Sequence, residues 1–288
     1  MRRSTCAALL LALPLTALAQ VPAAGPGRCG EVVTLETHGR STTRYALVRP
    51  QPGAAQAGPV ALVLLVGGGG HLDLDEQGCA RALKGNSLVR SLALFHDAGF
   101  VTALVDAPSD HPGDDGLAGF RISTEHAADL GRVIADVRLR CGTAVWLVGT
   151  SRGSISAVNA AARLSGTAAP DGLVLTSALM SGNSTARKAW VAQTVFDLPL
   201  QALRMPLLVV GHSADTCVRS PPEMMGRIAA QARSVRAQVV SVTGGPGLSG
   251  RGGVDVCEGR SPHGFIGQEA EVAAGMARFI RGGVYQAQ

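Results

Sequence analysis

The sequence predicts an α/β fold with a mostly parallel central sheet flanked by helices, held in one domain. Two observations carry the fold. Runs of aliphatic and β-branched residues without polar alternation, such as 60–66 (VALVLLV), read as strands buried on both faces. Segments of helical pattern separate these runs along the whole chain, and that alternation belongs to parallel βαβ architecture. A third observation sets the domain count. The 288 residues show no internal repeat and no interdomain linker, and they are enough to bury one large core.

Residues 1–19 read as a signal peptide, outside the fold. Met1-Arg2-Arg3 is a short positive head, 7–18 is an apolar stretch broken by Pro14, and Ala17-Leu18-Ala19 has the small-x-small form of a cleavage site. The stretch is too short, with the wrong flanks, for a stable membrane anchor. The domain is expected over residues 20–288. It begins with a Pro/Gly-rich lead-in at 20–30, then two strands, 32–37 and 43–48, around Gly39. A turn-rich connection at 50–59 leads to the strand 60–66, which ends in Gly67-Gly68-Gly69-Gly70. Further strands are expected at 100–105, 144–148, 173–175 with its flanks, 206–210 and 237–242. Helical patterns lie at 86–98, 124–140, 151–164, 222–232 and 269–281.

Composition removes several function classes. A hydrophobic share of 46% is too high for a disordered chain. The aromatics (Phe 6, Trp 2, Tyr 2) are too few for a platform that stacks single-stranded nucleic acid. The formal charge of +5 falls to +3 once Arg2 and Arg3 are removed, leaving 24 basic against 21 acidic residues. That charge is scattered arginine, so no nucleic-acid footprint appears. Beyond residue 19 the cysteines are Cys29, Cys79, Cys141, Cys217 and Cys257. Export would allow disulfides. The odd count leaves at least one cysteine without an intrachain partner, and no C-x-x-C or Cys/His spacing suggests zinc. No metal or other cofactor is called for.

In an open parallel sheet, catalytic groups belong in loops beyond the carboxyl ends of the strands. Gly149-Thr150-Ser151-Arg152-Gly153 stands there, a G-x-S-x-G between a strand and a helix. The glycines allow a reversal so tight that flanking side chains would collide, and Ser151 is left near a helix N-terminus. A serine nucleophile needs a base, and the base needs an orienting acid. His263, in Ser-Pro-His-Gly-Phe after the last strand, is the candidate base. Asp215, in Gly-His-Ser-Ala-Asp after the strand 206–210, is the candidate acid. Asp255 competes less well because it lies in a Gly-rich loop, away from any strand end. His212 reads as a loop histidine and His71 as one near the mouth of the site. His38, His96, His111 and His126 read as surface or capping residues.

The elbow GTSRG, the segment MPLLVVGHSAD, the turn SPHGF and the glycine loop after VALVLLV together resemble the α/β-hydrolase family over most of the chain, and secreted bacterial serine esterases in particular. The resemblance implies Ser151 as nucleophile, His263 as general base and then acid, and Asp215 as the group that fixes the imidazole. It implies an oxyanion hole from the Arg152 amide and the Gly68 amide, with Gly69 as the near alternative. Here the chain departs from its family, with Val66-Gly67 where His-Gly is usual. The Arg152 side chain is left open between a substrate carboxylate, solvent and a buried acid. The resemblance to secreted polyester hydrolases also implies a disulfide between Cys217 and Cys257 that ties the acid's loop to the base's loop.

The interval between the strands near 175 and 206 has room only for short helices around 186–195, so little or no cap is expected. The implied activity is hydrolysis of small-molecule or polymeric esters through an acyl-enzyme. Peptidase or thioesterase action on the same triad is the alternative, and a non-catalytic binding protein on a hydrolase scaffold is the non-enzyme reading.

Overall fold

The computed structural model describes residues 27–50, 59–247 and 256–287. The expected signal peptide at 1–19 lies outside the described residues, as does Asp255. Eight strands form one sheet: β1 (Glu31–Glu36), β2 (Thr42–Val48), β3 (Val60–Leu65), β4 (Val101–Val105), β5 (Ala144–Thr150), β6 (Gly172–Thr176), β7 (Leu207–His212) and β8 (Ala237–Val242). Their order is β1-β2-β4-β3-β5-β6-β7-β8. The pairs β1/β2 and β2/β4 are antiparallel, and all pairs from β4 to β8 are parallel.

The unbroken apolar runs follow from this arrangement. In β3, Ala61, Val63 and Leu65 pack into one core, while Leu62 and Leu64 pack into another across the sheet. With both faces covered, no position in the strand is free to be polar. The first core is closed by α3 (Thr124–Cys141), α4 (Gly153–Arg163) and α5 (Met225–Gln231), through Val133, Ile155 and Ile228 among others. The second is closed by α1 (Ser87–Arg90), α2 (Leu92–Asp97) and α6 (Glu269–Ile280), through Leu88, Phe95 and Phe279. The helix α3 is capped at both ends. Ser123 Oγ accepts from the His126 amide at 3.0 Å, and Gly142 takes a left-handed φ of 60°.

Two helical expectations change. The single helix read at 86–98 is two pieces, with Ser91 between them. The helix read at 222–232 opens as a 3-10 turn, Pro222–Met224, with proline at its start, before α5 begins. Between β6 and β7 lie only short 3-10 turns, Ala189–Ala192, Val195–Asp197 and Leu200–Ala202. No cap domain intervenes there.

Two disulfides brace the frame. Cys29 is bonded to Cys79 and Cys217 to Cys257, while Cys141, half-buried, is free. No helix among the described residues is long and apolar enough to cross a membrane.

Candidate active site

The strand β5 runs on through Gly149 to Thr150 and α4 starts only at Gly153, so Ser151 and Arg152 form the turn themselves. Ser151 has φ 50°, a left-handed conformation that few non-glycine residues adopt. The space around it explains the glycines. A β-carbon at Gly153 would fall on the Leu65 carbonyl, and one at Gly149 would come within 2.6 Å of the Gly153 carbonyl oxygen. Gly67 lies directly against the serine, where a β-carbon would be 2.9 Å from Ser151 Cβ. The turn is locked by Ser154, whose Oγ donates to the Ser151 carbonyl at 2.6 Å and accepts from the Leu179 amide at 3.0 Å.

Asp215 follows β7 and is 6% exposed. Its Oδ1 accepts from the Cys217 amide at 2.9 Å, and its Oδ2 lies 2.8 Å from His263 Nδ1. With Nδ1 facing the carboxylate, Nε2 is the ring nitrogen left free. His263 Nε2 is buried and has no partner among the described residues. Ser151 and His263 line one cleft of about 280 Å³, shared with Gly68, Leu83 and Arg260. The described residues lining it include no Phe, Tyr or Trp. Ser151 and His263 are not hydrogen-bonded to one another.

Around the histidine, the backbone is held from several sides. Ser177 Oγ donates to the His263 carbonyl at 2.6 Å, and Ser261 Oγ accepts from the His263 amide at 3.1 Å. Arg90 donates to the Gly259 and Gly264 carbonyls at 2.7 Å each and pairs with Glu269 at 2.8 Å. The Cys217–Cys257 bond joins the loop after Asp215 to the loop before His263, with their Cα atoms 4.8 Å apart.

The glycine loop lies beside the elbow. Gly67 O accepts from the Gly70 amide at 3.1 Å and Gly69 O from the Leu117 amide at 2.8 Å. The amides of Gly68, Gly69 and Arg152 donate to no acceptor among the described residues. The Arg152 guanidinium lies over the Trp190 ring, 4.0 Å from its centroid, and forms no ion pair among the described residues. Burial pulls its pKa down to about 10, with Arg219 adding to the shift and Asp115 opposing it.

The remaining histidines separate. His212 is buried and satisfied, with Nε2 against the Gly244 carbonyl and Nδ1 accepting from the Ala214 amide, each at 3.0 Å. His71 Nδ1 accepts from the Gly113 amide at 3.0 Å. His38 differs from its surface reading, since its two ring nitrogens face Asp129 and Asp110. His126 differs most. It is 3% exposed, with Nε2 2.8 Å from Ser156 Oγ and Nδ1 unpartnered. Two trios have donor atoms close enough to share a metal ion, His38/Asp110/His111 and Asp215/Cys217/His263. In the first, His38 Nε2 faces Asp110 of the same trio and Nδ1 faces Asp129; in the second, the Cys217 sulfur is in a disulfide and is no free ligand.

Sequence reasoning missed Arg121, Ser154 and Ser177. Arg121 and Ser177 act on backbone atoms brought near by the fold, which no local spacing marks, whereas Ser154 reaches the Ser151 carbonyl three residues back, a spacing the sequence does show.

No protein-family model matches this chain, and no curated protein matches it. Solved structures do. Est1E from Butyrivibrio proteoclasticus matches at 15% identity over 88% of this chain and 98% of its own, with a TM-score of 0.57. A dienelactone hydrolase from Anabaena variabilis matches at 14% identity over 88% of this chain and 99% of its own, at 0.53. Porphyromonas gingivalis dipeptidyl peptidase 4 matches at 15% identity and 0.54, over 85% of this chain but 35% of its own. At such identities the likeness is one of fold, and the fold is that of the α/β-hydrolases.

Proposed function

We propose that this protein is an exported serine hydrolase that cleaves carboxylic esters through an acyl-enzyme on Ser151. One observation carries the reading. A serine held at a left-handed φ between strand and helix shares a cleft with an unpartnered His263 Nε2 whose Nδ1 faces a buried Asp215. Ser151 Oγ attacks the ester carbonyl as His263 Nε2 takes its proton. Asp215 keeps the other proton on Nδ1 and stabilises the imidazolium that forms. The tetrahedral oxyanion is held by the Arg152 amide together with Gly68 or Gly69. The imidazolium then gives its proton to the leaving alcohol, and water, activated by the same histidine, releases the acid.

Ester hydrolysis leads over peptide hydrolysis because the site is open. No cap lies between β6 and β7, and the matched peptidase chain is nearly three times as long as the part this fold covers. The reading of export rests on residues 1–19 and the two disulfides. A short-chain p-nitrophenyl ester should give a burst of p-nitrophenol and a fluorophosphonate should label Ser151, both abolished in Ser151→Ala. Absence of labelling and of hydrolysis on esters, amides and thioesters alike would refute the proposal.

A further inference from the structure

Behind the glycine loop sits a guanidinium with no counter-charge. Arg121, on the 3-10 turn Ala118–Ile122, is 1% exposed and heads the largest fully buried side chains. Its Nη1 donates to Ser156 Oγ at 2.8 Å, and its Nη2 donates to the carbonyls of Val66 and Gly68 at 3.2 Å each. No carboxylate pairs with it among the described residues, and its buried Nε has no partner there. A guanidinium taken out of water without an ion pair is expensive. The position therefore calls for a reason beyond packing.

We infer that Arg121 is a positioning residue that makes the glycine loop into a preorganised oxyanion hole. This rests on the proposed reaction at Ser151. Four consecutive glycines have no side chains with which to fix themselves, and glycine explores more backbone space than any other residue. A useful hole has its donors already aimed before charge develops. Arg121 removes that freedom. With Val66 O and Gly68 O held by one guanidinium and Gly67 O by the Gly70 amide, three successive carbonyls are fixed. Each peptide unit is planar and trans, so fixing a carbonyl also fixes the N–H on the opposite side of that unit. The Gly68 and Gly69 amides are thereby set by the Gly67 and Gly68 carbonyls, and these two amides donate to no acceptor among the described residues. The third contact, Ser156, lies on α4 five residues beyond Ser151. One side chain thus ties the nucleophile's helix to the loop that faces it. Gly70 shows how closely the side chain fits, because a β-carbon there would be 2.7 Å from Arg121 Nη2.

Arg121→Ala is the direct test, with Arg121→Lys as the second variant because a single ammonium cannot reach Ser156 and both carbonyls together. Active sites are counted by the p-nitrophenol burst, so that misfolded molecules drop out. The expected result is a fall of roughly 10²-fold in kcat, the scale of a small misplacement of catalytic groups, with KM changed far less. Affinity for a boronic acid that forms a tetrahedral adduct with Ser151 should fall in parallel, while binding of the carboxylic acid product stays near the parent's. Added methylguanidinium should restore part of the activity of Arg121→Ala. A purely structural role would lower thermal stability and the count of active sites but leave these ratios in place. If Arg121→Ala yields no soluble protein, Arg121→Lys is judged by the same ratios. Variants with parent kcat per titrated site, or with boronate and product binding reduced equally, would overturn the inference. A parent protein that neither labels with fluorophosphonate nor hydrolyses any ester would instead refute the reaction itself.

Discussion

Acidification should destabilise this protein through one buried histidine. Burial drives the pKa of His126 from the usual 6.5 down to about 3, with the Arg121 charge and then His111 and His38 adding to it. The geometry agrees, since Nε2 meets Ser156 Oγ and Nδ1 faces no acceptor that would welcome a proton. A histidine with a depressed folded pKa leaves stability intact above 6.5, where both states are neutral. Below 6.5 the unfolded chain binds a proton that the native state refuses until about pH 3. Each pH unit in that window lowers stability by about 1.4 kcal/mol. At about pH 4.5 the loss from this residue is therefore roughly 3 kcal/mol, a large share of the ~5–15 kcal/mol that holds a typical domain together. The assay is urea unfolding of the parent and of His126→Gln at steps between neutral pH and about pH 4.5. Glutamine retains an N–H for Ser156 but cannot titrate. Any constant offset between the two proteins reports the change of side chain, and only the difference in slope reports the proton. Parallel stability curves across that window would refute the reasoning.

Other perturbations have equally defined outcomes. Asp215→Asn should lower kcat by roughly 10⁴-fold, as loss of the orienting acid does in such triads, read by steady-state ester hydrolysis against active-site titration. Gly153→Ala, whose methyl would overlap the Leu65 carbonyl, should abolish soluble expression or cut hydrolysis by at least ~10²-fold. Replacing Cys217 and Cys257 together with serine opens a loop spanning 40 residues and should cost about 3–4 kcal/mol in chemical denaturation. His38 acts against His126. Burial lowers its pKa, but the hydrogen bonds and charges of Asp129 and Asp110 prevail and raise it. Its stabilising contribution is present below 6.5 and fades as pH rises through the raised value, so His38→Gln should destabilise the protein more in mild acid than at alkaline pH.

The sheet was legible because burial on two faces leaves an unmistakable pattern. Ala61, Val63 and Leu65 serve one core and Leu62 and Leu64 the other, so the run in β3 cannot alternate. The elbow was legible in type but not in register. Residues from Ser151 onward read as helix, yet Ser151 at φ 50° cannot belong to a right-handed helix, and α4 begins at Gly153. What sets that boundary is the approach of Leu65 to Gly153, a contact between segments far apart in sequence. Ser151 and Asp215 could be read because each falls just past an apolar run, and His263 because it stands in the turn Ser-Pro-His-Gly-Phe ahead of the last helix. The devices that hold them could not, since Ser177 and Arg90 act on backbone carbonyls that only the folded chain brings within reach.

His126 shows where the reading could have gone further. The buried positions of α3 include His126, Leu130, Val133 and Val137, spaced at four, three and four residues, which is one stripe of a helix. The periodicity that identified the helix therefore already placed the histidine on its inner face. A polar side chain there must find its partner inside the protein. That partner, Ser156, is 30 residues away on α4, and the same hydroxyl accepts from Arg121. The depressed histidine, the guanidinium without a counter-charge and the fixed glycine carbonyls are thus linked through Ser156 and Arg121. Ser156→Ala should therefore move two observables at once, lowering stability by leaving His126 Nε2 and Arg121 Nη1 without that hydroxyl and lowering turnover at Ser151. A variant that shifted the stability curve and left kcat per titrated site untouched would separate the two and break that connection.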